Sequence, residues 1–457
     1  MSGPKVIRVV TREELEAICS RLIARVGAAS TDLLRTLGRN ELLTDAIEKD
    51  IAGRIKALSD QLRAGQFDAV QRQAPPLIAF FKGEKQRYQQ LAIAKAEAAR
   101  KERQQLVDAA ASVAYALQQQ NKPIPDELGR IIEGALSAKP ENVPSFRAEV
   151  DKVFRSLLSS AKSSPVASGD LAAKLSGGLT GQSLSQWLSV QPASRGASDR
   201  LIHVLSQLEV LEGGMTLAQF ATRIAAIDRE AKIDRRRLLE DSLVLDVSAA
   251  LAQRRMIEET RVQVLEVAAE LATVAGKELA DQRERIRILV LDPDLVGAAD
   301  FLDEVRGFIK ARAAENAAAA RRRAVLTGLA GLGYEVSVGM ETAWAQEGSI
   351  VVAKPGATDY GVELGGPADA SRLQVRVVGA AAPVSPRSQQ RDTEQEKLWC
   401  SEVDELIASL DRSGTELIIE RALGIGSQPL KSSALLGQHT GGVATDEVSS
   451  RKSRALK

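Results

Sequence analysis

Large aromatic side chains are scarce in this chain: eight Phe, three Trp and four Tyr, 3% of 457 residues. A thick globular core draws much of its buried area from such rings, so none is expected here. Abundant Ala, Leu, Arg, Glu and Gln favour long helices joined by narrow seams instead. Histidine and cysteine are nearly absent. His203 and His439 stand far apart, the second in a polar tail, and Cys19 and Cys400 cannot build a thiolate metal site alone. The shortage leaves few parts for a zinc site or a His-dependent triad, and no metal and no cofactor is expected. Two isolated cysteines suit a reducing cytoplasm. No apolar run reaches about 18 residues, and the start MSGPKVIRVV has no long apolar segment, so neither membrane spanning nor secretion is expected. An excess of one charge is missing too. The 61 basic and 60 acidic residues leave a net +1, without the footprint of a nucleic-acid binder. Residues 334–435 are acidic, with 15 carboxylates against 9 cations, and would meet repulsion at phosphates.

What is present is helical periodicity. KVIRVV (5–10) is β-branched and reads as a short strand, running into Thr11 and Glu14 at capping-box spacing. Behind it Leu15, Ile18, Cys19, Leu22, Ile23 and Val26 share one helix face, which makes Cys19 a small core residue. A helix over 41–64 steps through Ile47, Ile51, Ile55, Leu58 and Leu62 in a coiled-coil cadence. Pro75 and Pro76 open a further run, broken only by Gly83 over more than forty residues, that would reach roughly 60 Å. Its middle, AKAEAARKERQQ, has only alanines for a seam and reads as a solvated arm in loose contact with a neighbour.

Shorter helices follow over 128–136 and 145–158. The Ser/Gly/Pro-rich stretch that holds Trp187, read as packing a small helix, forms a boundary before a second long helical region over 216–291. In that region Arg235, Arg236 and Arg237 read as a solvated face paired with Glu230, Glu240 and Asp241. A third helix runs over 300–332. The implied organisation is an N-terminal helical region (1–121), short helices and linker (122–198), a central long-helix region (199–298), a C-terminal α+β module (299–435) and a disordered tail (436–457).

GLAGLG (328–333) has phosphate-loop spacing but the wrong order around it. A phosphate cradle needs strand, glycines, helix, so that a helix N-terminus faces the anion. Here the glycines follow a helix and precede a strand, so they read as a helix stop. Extended segments are expected at YEVSVG, SIVVAK, DYGVEL and LQVRVV. A helix over 383–414 should bury Trp399, Val403, Leu406, Ile407 and Leu410. Its acids Glu394, Glu396, Glu402, Asp404 and Glu405 are expected around the outer surface. TELIIERA adds a last strand.

The run LGYEV…DYGVEL…LQVRVV, about residues 324–378, resembles the core of Mrr-type restriction-endonuclease-like domains. The resemblance implies an acid in one strand and a Glu/Gln-x-Lys in the next, binding a metal and activating water. Glu363 would be the first acid, Gln374 the second position, and Arg376 would stand where the family has lysine. A guanidinium stays protonated and does not readily act as a base.

The fold expected is mainly α, with long coiled-coil-like helical arms and a small C-terminal α+β domain. The function expected is non-enzymatic: a scaffold in a bacterial-type cytoplasm that assembles with protein partners or with itself through its arms, with no membrane. Nucleic acid is not the expected partner, and a scaffold that binds it through Arg235–Arg237 or Arg321–Arg323 is a further alternative. The alternative is a nuclease-like or inactive nuclease-like domain in a DNA-related system such as defence.

Overall fold

The structure is a computed structural model that describes residues 4–119, 121–134, 142–161, 199–212, 219–230, 232–276, 279–291, 297–366, 371–383 and 387–437. Trp187, His439, most of the Ser/Gly/Pro-rich stretch and nearly all of the tail lie outside the described residues. Among the described residues there are twelve helices and six strands, a mainly α fold with a small α+β module at the C-terminal end. No described helix is long and apolar enough to cross a membrane.

Strand β1 (Lys5–Val10) runs straight into α1 (Arg12–Arg39), and the Thr11 hydroxyl accepts the Glu14 N–H at 3.2 Å, as the capping spacing predicts. Helix α2 (Asp45–Arg63) is capped the same way by Thr44. Helix α3 (Phe67–Gln119) is 53 residues long and begins earlier than expected, enclosing Pro75 and Pro76. An interior proline costs about 3 kcal/mol through a lost hydrogen bond and a clash one turn back. Val70 and Ala74 before the prolines, and Ile78 and Phe81 after them, are all buried, and that burial holds the helix through the break.

The apolar residues gather in separate small cores strung along shared helices. One core joins α1, α2 and the first half of α3 around Leu33, Leu37, Leu58 and Phe81. A second joins the end of α3 to α4 (Asp126–Gly134) and α5 (Val143–Ala161) around Val113, Ile131 and Phe154. The expected solvated arm between these cores is in fact tied down. Arg100 reaches Glu209 at 2.6 Å and Lys101 reaches Asp199 at 2.8 Å, both on α6 (Asp199–Glu212).

The central region forms three helices: α7 (Ala221–Arg229), α8 (Ile233–Ala272) and α9 (Ala280–Leu291). Glu230 breaks the first pair in an extended conformation, its carboxylate accepting the Lys232 N–H. Gly276, at φ +153°, lies in the turn between the second pair. Two cores meet on α8: Leu243, Val247 and Leu251 pack with α6 and α7, while Val264, Val267 and Leu271 pack with α9 and with α10 (Ala298–Gly331).

At the end of α10 the GLAGLG glycines do what their order predicts. The helix stops at Gly331, and Gly333 takes φ +85° just beyond it. Gly328 serves a different purpose: a Cβ there would lie 2.5 Å from Leu406 Cδ1 on the helix packed against it.

YEVSVG is not a strand. Glu335 donates its N–H to Ala353 O, just past the end of the strand Ser349–Val352; Val338 is fully exposed, and Gly339 at φ +94° starts α11 (Met340–Glu347). Period-two patterning there had no neighbour to pair with. The remaining elements are β2 (Ser349–Val352), β3 (Tyr360–Gly365), β4 (Arg372–Ala380), α12 (Gln389–Arg412), β5 (Glu416–Ala422) and β6 (Lys431–Ser433), the last without a signal in the sequence. The sheet order is β2-β3-β4-β1-β5 with antiparallel neighbours, and β6 lies parallel to the end of β4. The chain's first strand therefore sits inside the C-terminal sheet, Val6 opposite Gln374 on one side and Val9 opposite Leu417 on the other. Ile7, Val9, Val362, Leu364 and Val375 bury that face against α10 and α12.

Candidate functional site

Helix α8 is held on one side and bare on the other. Its inner side is fixed by charge as well as by core. Glu258 is buried and receives Arg35 at 2.5 Å and Arg39 at 3.2 Å from α1, with Arg261 at 3.3 Å from its own helix. Asp32, also buried, receives Arg35 at 3.1 Å and Lys85 of α3 at 2.6 Å. Burial alone pushes the Glu258 carboxyl up, but Arg35, Arg39, Arg261 and Lys85 together outweigh it and hold the carboxyl below its ordinary value. A cavity of about 560 Å³ opens beside this network, lined largely by amides and charges such as Gln86, Gln89, Gln207 and Gln263.

The outer side of α8 carries Leu238, Leu245 and Met256, which are 70%, 66% and 58% exposed. They are separated by steps of 7 and 11 residues. At about 100° per residue, both steps return to within roughly 20° of the same direction. Ala249 and Ala252, also exposed, lie in the same stripe, which spans roughly 27 Å. Isolated exposed leucines are ordinary on a protein surface; a line of them along one helix is a seam for another surface.

The positions singled out by the nuclease resemblance lie on the sheet face turned away from the helices. Glu363 on β3 and Arg376 on β4 are directly opposite in register, and Arg376 Nε donates to Glu363 Oε2 at 2.5 Å. The other oxygen, Oε1, accepts Lys431 Nζ of β6 at 2.8 Å. Burial raises the Glu363 carboxyl, and its hydrogen bonds and attraction to Arg376 and Lys431 more than reverse this, leaving it below its ordinary value. Gln374 is exposed, one ladder step away, opposite Gly365. The fold thus brings Glu363 and Arg376 together, leaves Gln374 to the side, and adds Lys431, which no local sequence pattern connects to them. Among the described residues no group of three His, Cys, Asp or Glu is placed to hold a metal ion.

The basic clusters make several ion pairs within the molecule. Arg236 pairs with Glu240 at 3.5 Å one turn along the helix, as the spacing predicts, while Arg235 meets Glu230 at 3.2 Å across the break before the helix. The expected pairing with Asp241 is not made among the described residues. Arg321 is buried and makes a two-point contact with Glu14 of α1, tying α10 to the start of the chain. Cys19 is fully buried, and burial pushes its thiol up, in keeping with a core role. His203 contacts Glu97 and Gln207 at the surface between α3 and α6.

Two acids of α12 do not follow the expected outward placement. Glu402 accepts the Tyr334 hydroxyl at 2.5 Å and Lys354 Nζ at 2.6 Å, so that burial and the adjacent carboxylate push the phenol far up. Glu396 is buried, 3% exposed, and accepts the Gly426 N–H at 2.6 Å. A signal for Glu396 was present: it stands one heptad before Val403 and two before Leu410, on the face assigned to the core.

The class these features define is a mainly α protein with a small antiparallel sheet that includes the N-terminal strand. Comparison with family models, with curated proteins and with solved structures finds no match to this chain.

Proposed function

We propose that this protein is a non-enzymatic assembly component, which captures a protein partner on the outer face of α8. The observation that carries the reading is the aligned stripe of Leu238, Leu245 and Met256 on a helix whose opposite side is anchored by core and ion pairs. Covering each large apolar side chain is worth about 1.5–3 kcal/mol, and a helix laid along the stripe would cover all three. Arg237, Asp241 and Glu259 flank the stripe with charges of both signs and would set partner choice rather than strength. Two cysteines in separate parts of the fold, not joined in a disulfide, support a cytoplasmic setting.

The test is the native mass of tagged protein recovered from its host, beside a variant carrying Leu238→Glu, Leu245→Glu and Met256→Glu. Wild type should exceed the 49.0 kDa of one chain by a stoichiometric partner or second copy, and the variant should lose that mass while keeping its helical circular dichroism. A lone 49.0 kDa species for wild type sinks the proposal. The nuclease alternative is separated by incubating the protein with duplex DNA and Mg²⁺ or Mn²⁺. Intact DNA is expected, and cleavage abolished by Glu363→Ala would reverse the assignment.

A further inference from the structure

The first two turns of α12 and the loop 426–430 enclose a cavity of about 520 Å³. Gln389, Thr393 and Glu396 line its helix side, spaced so that they share one face. Glu396 is the unusual member. It is only 3% exposed, yet it is among the residues that line the cavity. One oxygen, Oε2, accepts the Gly426 N–H; Oε1 accepts nothing from the described residues, and no lysine or arginine among them lies within ion-pair distance. The other buried acids in this protein are treated differently: Glu258 and Glu363 each hold at least two cations.

The nearby charges do not compensate it. Among the described residues Arg387 is the one cation lining the cavity, and its guanidinium is spent on Asp392 at 3.0 Å, Ser432 Oγ at 3.2 Å and Leu430 O at 3.4 Å. Asp392 in turn takes the Tyr360 hydroxyl at 2.8 Å. The lining therefore keeps one negative charge in excess. The positive end of the α12 dipole fades within the first turn, and Glu396 lies beyond it. The Oε1 oxygen left for the cavity is placed to accept a charge-assisted hydrogen bond from an ammonium that a ligand brings.

We propose that this cavity binds a protonated alkylamine, its ammonium on Glu396 Oε1 and its chain along Pro429, Leu430 and the Thr393 methyl. A volume of this size accommodates a small ligand or one long side chain. The site is separate from the α8 stripe, so either can fail alone.

The experiment titrates the full chain with n-butylammonium chloride and with Nα-acetyl-L-lysine N-methylamide, using n-butanol as the neutral control. Binding is read by calorimetry and by the NMR shift of the Gly426 amide. At least one amine should saturate below about 10 mM while n-butanol does not, and Glu396→Gln should weaken it at least about tenfold. Glutamine keeps a carbonyl for the Gly426 N–H and removes the charge that the ammonium would meet. Preference for butylammonium identifies a free amine as the ligand; preference for the lysine derivative identifies a side chain presented by a polypeptide. No saturation by either amine, equal binding to Glu396→Gln, or equal binding of n-butanol would overturn the site.

Discussion

Glu258 on α8 and Glu363 on β3 both have carboxyls held below their ordinary value of 4.5 by paired cations. An unfolded chain releases them from those partners, so on acidification it takes up protons before the folded chain does. Their contribution to stability is therefore complete above about pH 4.5 and fades as the pH falls through the lower folded values. Melting temperature measured from pH 6 downward should drop below about pH 4.5, and Glu258→Gln should flatten part of that drop. Arg35 bridges Asp32 and Glu258, so Arg35→Met should cost about 1–3 kcal/mol in urea unfolding at neutral pH. Helix spacing places Arg35 near Asp32 and Arg261 near Glu258, but it cannot show Arg35 meeting Glu258, 223 residues away. The local pair Arg236–Glu240, by contrast, was readable from helix periodicity alone.

Elements were most legible where a local signal and a tertiary partner agreed. Thr11 caps α1, and Gly333 ends the approach to the sheet in the left-handed region, each as its neighbours in sequence imply. YEVSVG shows the opposite case, since alternation makes a strand only where another strand lies alongside. Gly328 belongs to this scale, because it sets the distance between α10 and α12. Gly328→Val would drive a side chain into Leu406 and should destabilise by about 1–3 kcal/mol, or more if α12 is displaced. Thermal unfolding checks the cost, and Leu406→Ala added to Gly328→Val should recover part of it. Gly331→Ala makes a useful contrast: nothing lies within 4 Å of the added Cβ, so no comparable loss is expected.

For the whole molecule the decisive feature is the placement of β1 between β4 and β5. Only Thr11 separates this strand from α1, and α1 packs along α3 and α8, so the sheet and the helices are joined without a linker. Arg321–Glu14 adds a second tie at the same junction. Deleting residues 1–10 should strip amide-exchange protection from β4 and β5 together, while α4 and α5, in a different core, keep theirs. Loss confined to one of the two strands would contradict this coupling. Small cores strung along α3, α8 and α10 should also transmit strain poorly, and a substitution such as Phe154→Ala should open its own core first.

Composition and periodicity by themselves determined that this chain is mainly helical, that its glycine run stops a helix, and that its C-terminal end turns to strands. These are local matters, decided by hydrogen bonds and side-chain directions within a few turns. Tertiary structure decided where β1 pairs, which cations surround Glu258 and Glu363, and that Glu396 is buried facing a cavity. Each of those depends on chain segments tens to hundreds of residues apart meeting in space, and no periodicity within one segment records its neighbour.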